Sequence, residues 1–412
     1  MATTGPERIP TLDIIRGIAV MGILVANMPA FALPGAAYFS PMAWGGSGPA
    51  EIAAWATNFV LIEGKMRGLF SFLFGASMLL VIDSATATGR SPAQAHFSRA
   101  AVLLAIGLAH LYFIWWGDIL AHYAMVGAIA YLFHRLGARE LLIWGLLALA
   151  VTLAMNSMGW LVLMGSAARD TPQAIETWNG FAKGFGIPPR EWLDSEIAAY
   201  RGGWEANIAW RFDHENPLGF LKSVGLETLS AMLLGMAAFR SGFLAGAWAP
   251  ARYKRWAVTC LGLAWGAYAL LAAVTFSQGF DQRWVFFGSI VASAPFRIIG
   301  VVGYAALFIW LIQPEGWLGQ RLAAVGRAAF TNYLGTSILV TAIFYGWGLG
   351  QFALWSRAEL YIVPPIVWLL MLAWSKPWLD RYRYGPLEWL WRSLSRGKLQ
   401  PMRRNVAAAT AT

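Results

Sequence analysis

Apolar runs of about 20 residues recur along the whole chain of 412 residues, and their length constrains the fold more than any other feature. A helix of about 20 residues crosses the hydrocarbon core of a bilayer, where only helices and closed barrels satisfy the backbone hydrogen bonds. Charged residues are 13% of the sequence, against about 25% in soluble domains. The sequence therefore predicts an all-α protein, a polytopic integral membrane bundle of about ten transmembrane helices.

Ten runs satisfy this length criterion, and one sizeable polar segment interrupts the series. The runs are at residues 12–33, 52–82, 97–116, 118–135, 140–166, 218–238, 256–277, 285–312, 328–347 and 359–375. Residues 1–399 are therefore predicted to form a single transmembrane domain, with residues 169–216 as an extracytoplasmic insertion. Residues 400–412 are predicted to be a disordered cytoplasmic tail.

The basic residues are distributed unevenly between the loops. If the N-terminus is cytoplasmic, 19 Lys and Arg residues lie inside and seven lie outside. The positive-inside rule then predicts that both termini are cytoplasmic, as an even number of spans requires. The lipid bilayer is therefore an expected partner of the chain. This distribution explains the net charge of +10 without nucleic acid, and the single cysteine, Cys260, excludes a disulfide framework.

The hairpin formed by the third and fourth runs, residues 99–135, carries three titratable side chains: His110, Asp118 and His122. Such groups are costly in or beside hydrocarbon and commonly serve a function. At about 1.5 Å per residue the two rings should lie at similar depth, and the i, i+4 spacing of Asp118 and His122 lets the carboxylate orient that ring for proton transfer. The alternative is structural, with Asp118 capping the next helix through the backbone N–H of residue 120 or 121.

A charged cluster interrupts the second run at Glu63-Gly64-Lys65-Met66-Arg67. Three charges in the middle of a run exceed what one structural pair requires, which favours a functional interpretation. Either two short helices meet at the glycine, or one long helix bends there and lines a wet cavity. Glu63 and Arg67 are expected to pair at i, i+4 spacing, which leaves the Lys65 ammonium available to a ligand.

Further polar residues occupy the apolar runs. Asp13 and Arg16 are spaced i, i+3 and are expected to pair at the membrane edge. Glu227 and Arg297, on separate runs, are expected either to pair or to bind a charged ligand. Asn27 needs an internal partner. The predicted substrate-binding residues are therefore Asp13, Arg16, Asn27, Glu63, Lys65, Arg67, Glu227, Arg297 and Asn332.

The polar insertion between Arg169 and Glu215 contains five basic and eight acidic residues. Its middle, residues 189–208, can form an amphipathic helix on the outer surface. The segment is interpreted either as a lid or acceptor-recognition element over the outer end of the hairpin, or as a solvated loop. His214 lies among its charges and is assigned no role.

Five stretches of the sequence resemble one known family. They are LDIIRGIAVMGILVAN at residues 12–27, preceded by Arg8; EGKMRGLFSFLFG at 63–75; GLAHLYFIWWGDILAHYAMVG at 107–127; GRAAFTNYL at 326–334; and YGPLEWLWRSL at 384–394. In this order, and spread over nearly the whole chain, they are similar to the YeiB-like family of bacterial multi-pass membrane proteins, long classed as a domain of unknown function. The resemblance implies that the protein lies in the inner membrane of a bacterium.

That family resembles, more distantly, the superfamily of transmembrane acyltransferases that includes heparan-alpha-glucosaminide N-acetyltransferase. In that enzyme an acyl group from cytosolic acyl-CoA reaches an acceptor on the far side of the membrane. The resemblance implies acyl transfer centred on a histidine, with acyl-CoA as donor and charged residues near the first two spans. The enzyme's reactive histidine follows its first span, whereas residues 34–51 contain none here. Either His110 or His122 replaces it, or the activity has been lost.

Three functions are compatible with these residues. In the first, an integral membrane acyltransferase, His110 or His122 is the catalytic base for an acceptor hydroxyl or amine, and Asp118 orients it. The cations expected to hold the phosphates or carboxylate of the donor are Lys65, Arg67 and Arg297. No metal is predicted, because the sequence shows no metal-ligand spacing.

The second function is a proton-coupled transporter or exporter of a small molecule, in which Glu227 and Arg297 form a midplane site and the His/Asp group carries protons. The third is a non-catalytic scaffold, against which the many intramembrane charges count. The sequence identifies neither the acyl group nor the acceptor, and it leaves a homo-oligomer open.

Overall fold

The computed structural model of the protein describes residues 9–404, and the regular elements in that range are helices. The α-helices are α1 (Pro10–Ala32), α2 (Pro49–Thr57), α3 (Lys65–Ala87), α4 (Pro92–Phe113), α5 (Leu120–Ala130), α6 (Ala138–Ala167), α7 (Pro172–Phe185), α8 (Arg190–Arg201), α9 (Trp204–His214), α10 (Pro217–Arg240), α11 (Pro250–Ser277), α12 (Gln282–Phe286), α13 (Ser293–Leu311), α14 (Trp317–Arg327), α15 (Ala329–Phe344), α16 (Val363–Arg381) and α17 (Pro386–Ser395). Short 3₁₀ or π segments occur at Gly35–Tyr38, Asn58–Ile62, Tyr131–Phe133, Phe287–Ala292 and Glu359–Ile362.

Eight helical stretches of the described chain are long and apolar enough to cross a membrane. They are Pro10–Ala32, Pro49–Ala87, Pro92–Phe113, Ala138–Ala167, Pro217–Arg240, Pro250–Ser277, Gln282–Leu311 and Glu359–Arg381. Two shorter apolar stretches, Leu120–Phe133 and Ala329–Phe344, take the places of the other two predicted spans. At 1.5 Å per residue the first is about 21 Å long, less than a hydrocarbon core of about 30 Å. The all-α, polytopic prediction is confirmed, with eight stretches of spanning length among the described residues where about ten were expected.

Local sequence explains where several helices begin. Proline is the first residue of α4 and of α10, where its fixed φ suits a helix start and its missing N–H is not needed. The residue before each proline caps the helix. Ser91 Oγ accepts a hydrogen bond from the N–H of Gln94 at 3.3 Å, and Asn216 Oδ1 accepts one from that of Gly219 at 3.0 Å. Both helices carry candidate site residues, whose positions therefore depend partly on these local starts.

Small residues let pairs of helices cross in close contact, as is common between membrane helices. α1 packs on α14 with Gly17 and Gly326 at the crossing, where a Cβ on either glycine would clash with the backbone of the facing helix. α3 packs on α10 in the same way at Gly75 and Gly235. The main hydrophobic core draws residues from these helices and from α5 and α15, so the crossings fix the spacing of its walls.

The charged cluster in the second run separates two helices. After the π segment Asn58–Ile62, Glu63 is extended with ψ of 135°, and Gly64 has φ of +68°. Because glycine adopts such a left-handed conformation without a steric penalty, the chain turns here and α3 starts anew at Lys65. Of the two arrangements predicted for this run, the meeting of two helices is the one observed.

The polar insertion folds into three short helices, α7, α8 and α9. A single helix over residues 189–208 was expected, and that prediction is wrong. Gly202 and Gly203 both have extended ψ values, of 176°, and separate α8 from α9. Glycine is a poor helix former, so two in succession favour a break at this point.

The insertion packs against the end of α4. The Trp204 indole N–H donates to the carbonyl of Phe113 at 2.8 Å, and Arg211 Nε donates to the carbonyl of Tyr112 at 2.9 Å. Arg211 is fully buried by these contacts. The insertion therefore lies over the predicted outer end of the hairpin and is not a solvated loop.

The end of the described chain folds back on α16 and α17. The N–H of Arg383 donates to the carbonyl of Met402 at 2.9 Å, and the Trp389 indole donates to the carbonyl of Gln400 at 2.7 Å. These bonds hold residues 400–404, the first part of the predicted disordered tail, against the bundle. The remainder of that tail, residues 405–412, lies outside the described residues, as does Arg8.

Candidate functional site

Two cavities enter the bundle from opposite ends. Helix α1 contributes Asp13 to the lining of one and Asn27 to the lining of the other. These two residues are 14 positions apart on one continuous helix, which corresponds to about 21 Å along its axis. The cavities therefore approach each other from the two sides of the membrane domain.

The first, which we call the arginine cavity, has a volume of about 600 Å³. Its charged lining residues are Arg16, Arg99, Arg327, Arg383 and Arg392, with Asp13 and Glu388. It lies at the end of the bundle that the positive-inside rule assigns to the cytoplasm. A surplus of guanidinium groups over carboxylates favours an anionic ligand.

Each stretch that carries the family resemblance contributes to the arginine cavity. Arg16, Phe70, Ile119, Arg327 and Arg392 line it, and each comes from a different one of the five stretches. Segments far apart in sequence thus converge on one space. Among these charged residues, only Asp13 and Arg16 were predicted from the sequence, and the other arginines were missed. The five stretches that resemble the family were the signal that could have identified them.

The carboxylate of Glu388 attaches α17 to the wall of the arginine cavity. It accepts hydrogen bonds from the N–H of Phe330 at 2.7 Å and from Thr331 Oγ1 at 2.6 Å. Burial raises the pKa of this carboxyl, and the two bonds oppose the shift. On the same helix, the Trp391 indole donates to the carbonyl of Arg99 at 2.9 Å, and the Arg99 guanidinium lies 4.5 Å from its ring centroid. Helix α17 therefore forms one wall of the cavity.

The predicted pair at the start of α1 is confirmed. Arg16 Nη1 lies 3.1 Å from Asp13 Oδ1, and Arg16 Nη2 donates to Ser77 Oγ at 2.8 Å. Both charged side chains line the arginine cavity. The guanidinium is thus oriented by two neighbours at the edge of this cavity.

The second cavity, which we call the tryptophan cavity, has a volume of about 860 Å³. Its tryptophans are Trp115, Trp116, Trp192 and Trp210. Seven of the twelve predicted site residues line it, namely Asn27, Glu63, Arg67, Asp118, His122, Glu227 and Arg297. The structure therefore brings most of the predicted polar residues to one space, which is also lined by several aromatic side chains.

A thin partition separates the two cavities. Ile119, in the turn of the hairpin, lines both of them. Tyr333 holds this turn from α15, because its hydroxyl accepts from the N–H of Ile119 at 3.3 Å and donates to the carbonyl of Gly117 at 3.2 Å. The hairpin turn is therefore the point where the two cavities come closest.

A histidine–aspartate dyad lies beside this partition. His110 Nδ1 is 2.8 Å from Asp118 Oδ2, and both side chains are 1% exposed. The other carboxylate oxygen accepts from the N–H of Ala121 at 2.8 Å, so the predicted capping contact is confirmed. Because a carboxylate only accepts, we assign the ring proton to Nδ1, which leaves Nε2 as a base. Nε2 is buried and has no partner among the described residues.

The ring that Asp118 orients is that of His110, and the expected contact with His122 is wrong. Helix α5 begins at Leu120, so Asp118 precedes the helix and helical i, i+4 spacing does not apply to it. His122 Nε2 instead lies 2.9 Å from Thr228 Oγ1. Its Nδ1 is buried without a partner within residues 9–404, and the ring lines the tryptophan cavity. Each histidine therefore retains one unsatisfied ring nitrogen.

The expected pair of Glu63 and Arg67 is also wrong. The left-handed turn at Gly64 lies between the two residues and removes the helical spacing on which the pair depended. Arg67 Nη2 faces Glu227 Oε1 at 3.9 Å. Glu63 Oε2 is buried and lacks a hydrogen-bond partner in the part of the chain that is described.

Lys65 was expected to offer its charge to a ligand, and the structure contradicts this. The side chain is completely buried. Its ammonium donates to the carbonyls of Phe59 at 3.0 Å and Glu63 at 3.3 Å, and it lies 3.2 Å from the ring centroid of Tyr268. The Lys65 ammonium is therefore occupied by protein groups at the break between the two helices.

The two charges on α10 and α13 form the predicted ion pair. Arg297 Nη1 donates to Glu227 Oε1. The other terminal nitrogen of Arg297 donates to the carbonyl of Ser289 at 2.7 Å and to Ser293 Oγ at 3.1 Å. Loss of either partner alone would leave an uncompensated buried charge and should destabilise the wall of the tryptophan cavity.

Asn332 lies away from both cavities. Its Nδ2 donates to the carbonyl of Val325 at 3.1 Å and to Ser375 Oγ at 3.2 Å, and its Oδ1 accepts from the Trp374 indole at 2.8 Å. These bonds connect α15 to α14 and α16. The amide is therefore used in packing, and the structure does not bring it to the other predicted site residues.

The insertion covers the tryptophan cavity. The Glu196 carboxylate on α8 accepts from the N–H of Gly35 at 2.8 Å, which ties the cover to the loop after α1. Burial raises the pKa of Glu196 to about 7 and that of Glu215 to about 7. His214, to which the sequence assigned no role, stacks on Trp210 with ring centroids 3.8 Å apart and lines the cavity.

Known proteins are similar to this chain over nearly its whole length. The family described as "Protein of unknown function (DUF418)" matches residues 238–398. The chain is 34% identical over 400 residues to "Uncharacterized protein YeiB" of Escherichia coli, which covers 94% of this chain and 96% of the relative. It is 29% identical over 420 residues to "Uncharacterized protein YxaH" of Bacillus subtilis, with 97% of each covered. A relative from Bacillus acidopullulyticus, an "Uncharacterized 39.9 kDa protein in amylase 3'region", is 24% identical over 417 residues, with 96% of each covered.

Proposed function

This chain belongs to the YeiB-like family, and we propose that it is an integral membrane acyltransferase of the bacterial inner membrane. It moves an acyl group from a cytosolic acyl-CoA to a small acceptor at the extracytoplasmic side. One observation carries the proposal: the dyad of His110 and Asp118 lies beside the partition between the two cavities. Asp118 lines the tryptophan cavity, and the His110 ring centroid lies 5.4 Å from that of Tyr333, which lines the arginine cavity. A carboxylate-oriented histidine with its other ring nitrogen unsatisfied is the arrangement that general-base catalysis uses.

The arginine cavity is the donor site in this proposal. Acyl-CoA carries several phosphate groups, and guanidinium groups bind phosphate oxygens through paired N–H donors. Arg16 and Arg99 line this cavity. Two of the cations expected from sequence to hold the donor, Lys65 and Arg297, already donate to protein carbonyls. The proposed donor contacts therefore move to the arginine cavity.

In the proposed step, an acceptor O–H or N–H group reaches the dyad from the tryptophan cavity. Its oxygen or nitrogen attacks the thioester carbonyl while His110 Nε2 takes the proton, and the Asp118 carboxylate stabilises the imidazolium. Collapse of the tetrahedral adduct breaks the C–S bond, and the imidazolium returns the proton to the departing thiolate. The products are the acylated acceptor and coenzyme A, with His110 again neutral.

The reaction requires a movement in the partition. His110 lies behind the residues that line the two cavities, whereas Ile119 lines both. Tyr333 holds the backbone of this turn through two bonds, at 3.2 and 3.3 Å. We therefore expect Ile119 to move aside when donor and acceptor bind, with Tyr333 keeping the turn in place.

Release of free thiol from acyl-CoA by the purified protein tests the proposal. We expect turnover with at least one donor in a series from acetyl-CoA to palmitoyl-CoA. His110→Gln is expected to lower kcat by about 100-fold or more, since the variant lacks a base at Nε2. His134→Gln is the matched control, because His134 bonds to the carbonyl of Tyr131 and lines neither cavity. An absence of turnover in both purified protein and native membranes, or an unimpaired His110→Gln variant, contradicts the proposal.

A second candidate, a proton-coupled transporter or exporter, is favoured by the partition itself. Two cavities that approach each other from opposite ends and meet at Ile119 are the arrangement that alternating access needs. Vesicles containing the protein and a pH-sensitive dye, challenged with a small-molecule extract of bacterial cells, distinguish the two. A transporter produces a proton flux without acyl-CoA, whereas an acyltransferase consumes acyl-CoA and produces no such flux.

A further inference from the structure

The tryptophan cavity contains a carboxylate that the protein leaves unsatisfied. Glu63 is 5% exposed, and its Oε2 has no hydrogen-bond partner within residues 9–404. The neighbouring Lys65 ammonium donates instead to the backbone carbonyl of Glu63. A buried carboxylate oxygen without a donor is costly, so this position favours a ligand that supplies an N–H or O–H donor.

Arg67 presents the opposite charge from the other side of the Gly64 turn. Its side chain is 35% exposed, and it faces Glu227 Oε1 at 3.9 Å, which is beyond hydrogen-bond distance. Glu227 is already bonded to Arg297. The guanidinium donors of Arg67 are therefore available to an anionic group in the cavity.

Two other side chains show that these charges face one space. Burial raises the pKa of the Tyr38 hydroxyl, the Glu63 carboxylate raises it further, and Arg67 and Arg297 lower it. Tyr38 and His122 line the cavity with them. His122 is 3% exposed and has an unsatisfied Nδ1, which adds a third polar contact for a ligand.

We propose that the tryptophan cavity binds a zwitterion, with the ammonium group of the ligand at Glu63 and its anionic group at Arg67. A ligand with both charges satisfies both side chains at once, whereas an amine alone leaves the guanidinium unused and a phosphate alone leaves the carboxylate buried without a donor. A free small zwitterion and a zwitterionic lipid headgroup share this chemistry. The inference rests on the proposed function only in identifying this ligand as the acceptor, because binding itself requires no acyl donor.

Calorimetric titration of the purified protein without acyl-CoA tests the inference, with phosphoethanolamine as the zwitterionic probe. Ethanolamine and inorganic phosphate are its two halves. We expect phosphoethanolamine to bind about ten-fold more tightly than either half. Glu63→Gln and Arg67→Gln should each weaken its binding by about ten-fold, and Glu63→Gln should abolish the preference over phosphate.

The control variant is Glu315→Gln, which removes a carboxylate from an exposed position and should leave binding unchanged. If Glu63→Gln does not fold, Arg67→Gln decides the matter, because the Arg67 side chain is one-third exposed and its ion pair is long. Dihexanoyl phosphatidylethanolamine, compared with dihexanoyl phosphatidylglycerol, identifies the source of the ligand. Tighter binding of the former than of phosphoethanolamine indicates a lipid headgroup, and the reverse indicates a free zwitterion.

Two results overturn the inference: phosphoethanolamine binding no tighter than its halves, or Glu63→Gln and Arg67→Gln both binding it as the unmodified protein does. The test separates this inference from the proposed function. Loss of acyl-CoA turnover with intact phosphoethanolamine binding would contradict only the acyltransferase. Turnover that persists while phosphoethanolamine fails to bind would contradict only the zwitterion.

Discussion

The arginine cavity and the tryptophan cavity differ in how the chain builds them. The first is assembled from stretches dispersed along the sequence and is walled by α17, which Glu388 attaches to the start of α15. The second is covered by α7, α8 and α9, a contiguous insertion that Glu196 ties to the loop after α1. One cavity thus depends on the assembly of the whole bundle, and the other depends in addition on a cover with its own local fold.

The two cavities also differ in how their charges are used. Guanidinium groups outnumber carboxylates in the arginine cavity, which suits a ligand with several negative charges. In the tryptophan cavity, Glu63 and Arg67 lie on either side of a turn and are not paired with each other. The difference indicates two ligands of different chemistry, with the dyad of His110 and Asp118 between them.

The comparison depends first on the orientation of the protein in the membrane. Thiol labelling tests this orientation and gives an all-or-none result. In a Cys260→Ser background, Ser91→Cys and Glu191→Cys place one thiol at an exposed position near each end of the bundle. We expect a membrane-impermeant maleimide to label residue 191 on intact cells and to label residue 91 only after lysis. Labelling in the opposite pattern would place the arginine cavity outside the cell, away from cytosolic acyl-CoA.

The next largest effect concerns the dyad. Asp118→Asn keeps an oxygen that can cap Ala121, but it cannot stabilise a charged His110 ring. We expect kcat for thiol release to fall by about 100-fold or more, with a change in stability below about 1 kcal/mol. Asp380→Asn, at an exposed ion pair with Lys376, is the control. Activity of Asp118→Asn within about two-fold of the unmodified protein would show that the dyad is only structural.

A smaller effect is expected from a variant that alters the arginine cavity and leaves the tryptophan cavity unchanged. Arg99→Gln removes one guanidinium from the arginine cavity, so the KM for acyl-CoA should rise by about ten-fold, and less at high salt. Phosphoethanolamine binding in the tryptophan cavity should not change. Arg90→Gln, at an exposed position, should affect neither. A parallel loss of both ligands in the Arg99 variant would show that the cavities are one site.

The smallest effect concerns the cover. Glu196 has a pKa of about 7 in the folded protein, against a reference pKa of 4.5. Between these two pH values the folded state therefore binds more protons than the unfolded state. The stability contributed by Glu196 is therefore fully present below about pH 4.5 and is lost as the pH rises through about 7. We expect the melting temperature to decrease by a few degrees over this range, and Glu196→Gln to reduce the decrease.

Hydrogen exchange locates this pH effect. After correction for base-catalysed intrinsic exchange, the protection factors of the α8 amides should fall at high pH in the unmodified protein, while those of α17, at the arginine cavity, should change less. Glu215, whose pKa is also raised to about 7, provides the matched variant, Glu215→Gln. Identical pH profiles for all three proteins would show that these carboxyls do not control the cover.

The helical architecture was predictable because hydrocarbon limits both the length and the polarity of a spanning segment. Pairs confined to one regular helix, such as Asp13 and Arg16, were predictable for the same geometric reason. The pair of Glu227 and Arg297, on separate helices, followed from the cost of leaving either charge unpaired. Predictions failed where helical spacing was assumed across a break, as at Gly64.

The sequence by itself determined a polytopic helical protein with polar groups concentrated in the hairpin and in the middle of the second run. Only the tertiary structure decided that Asp118 orients His110, because helix α5 starts two residues after the aspartate. Only the tertiary structure gathered Arg99, Arg327 and Arg392 around one cavity. The physical reason is that run length and periodicity report the environment of each helix, whereas partners in space depend on where helices end and on how they cross.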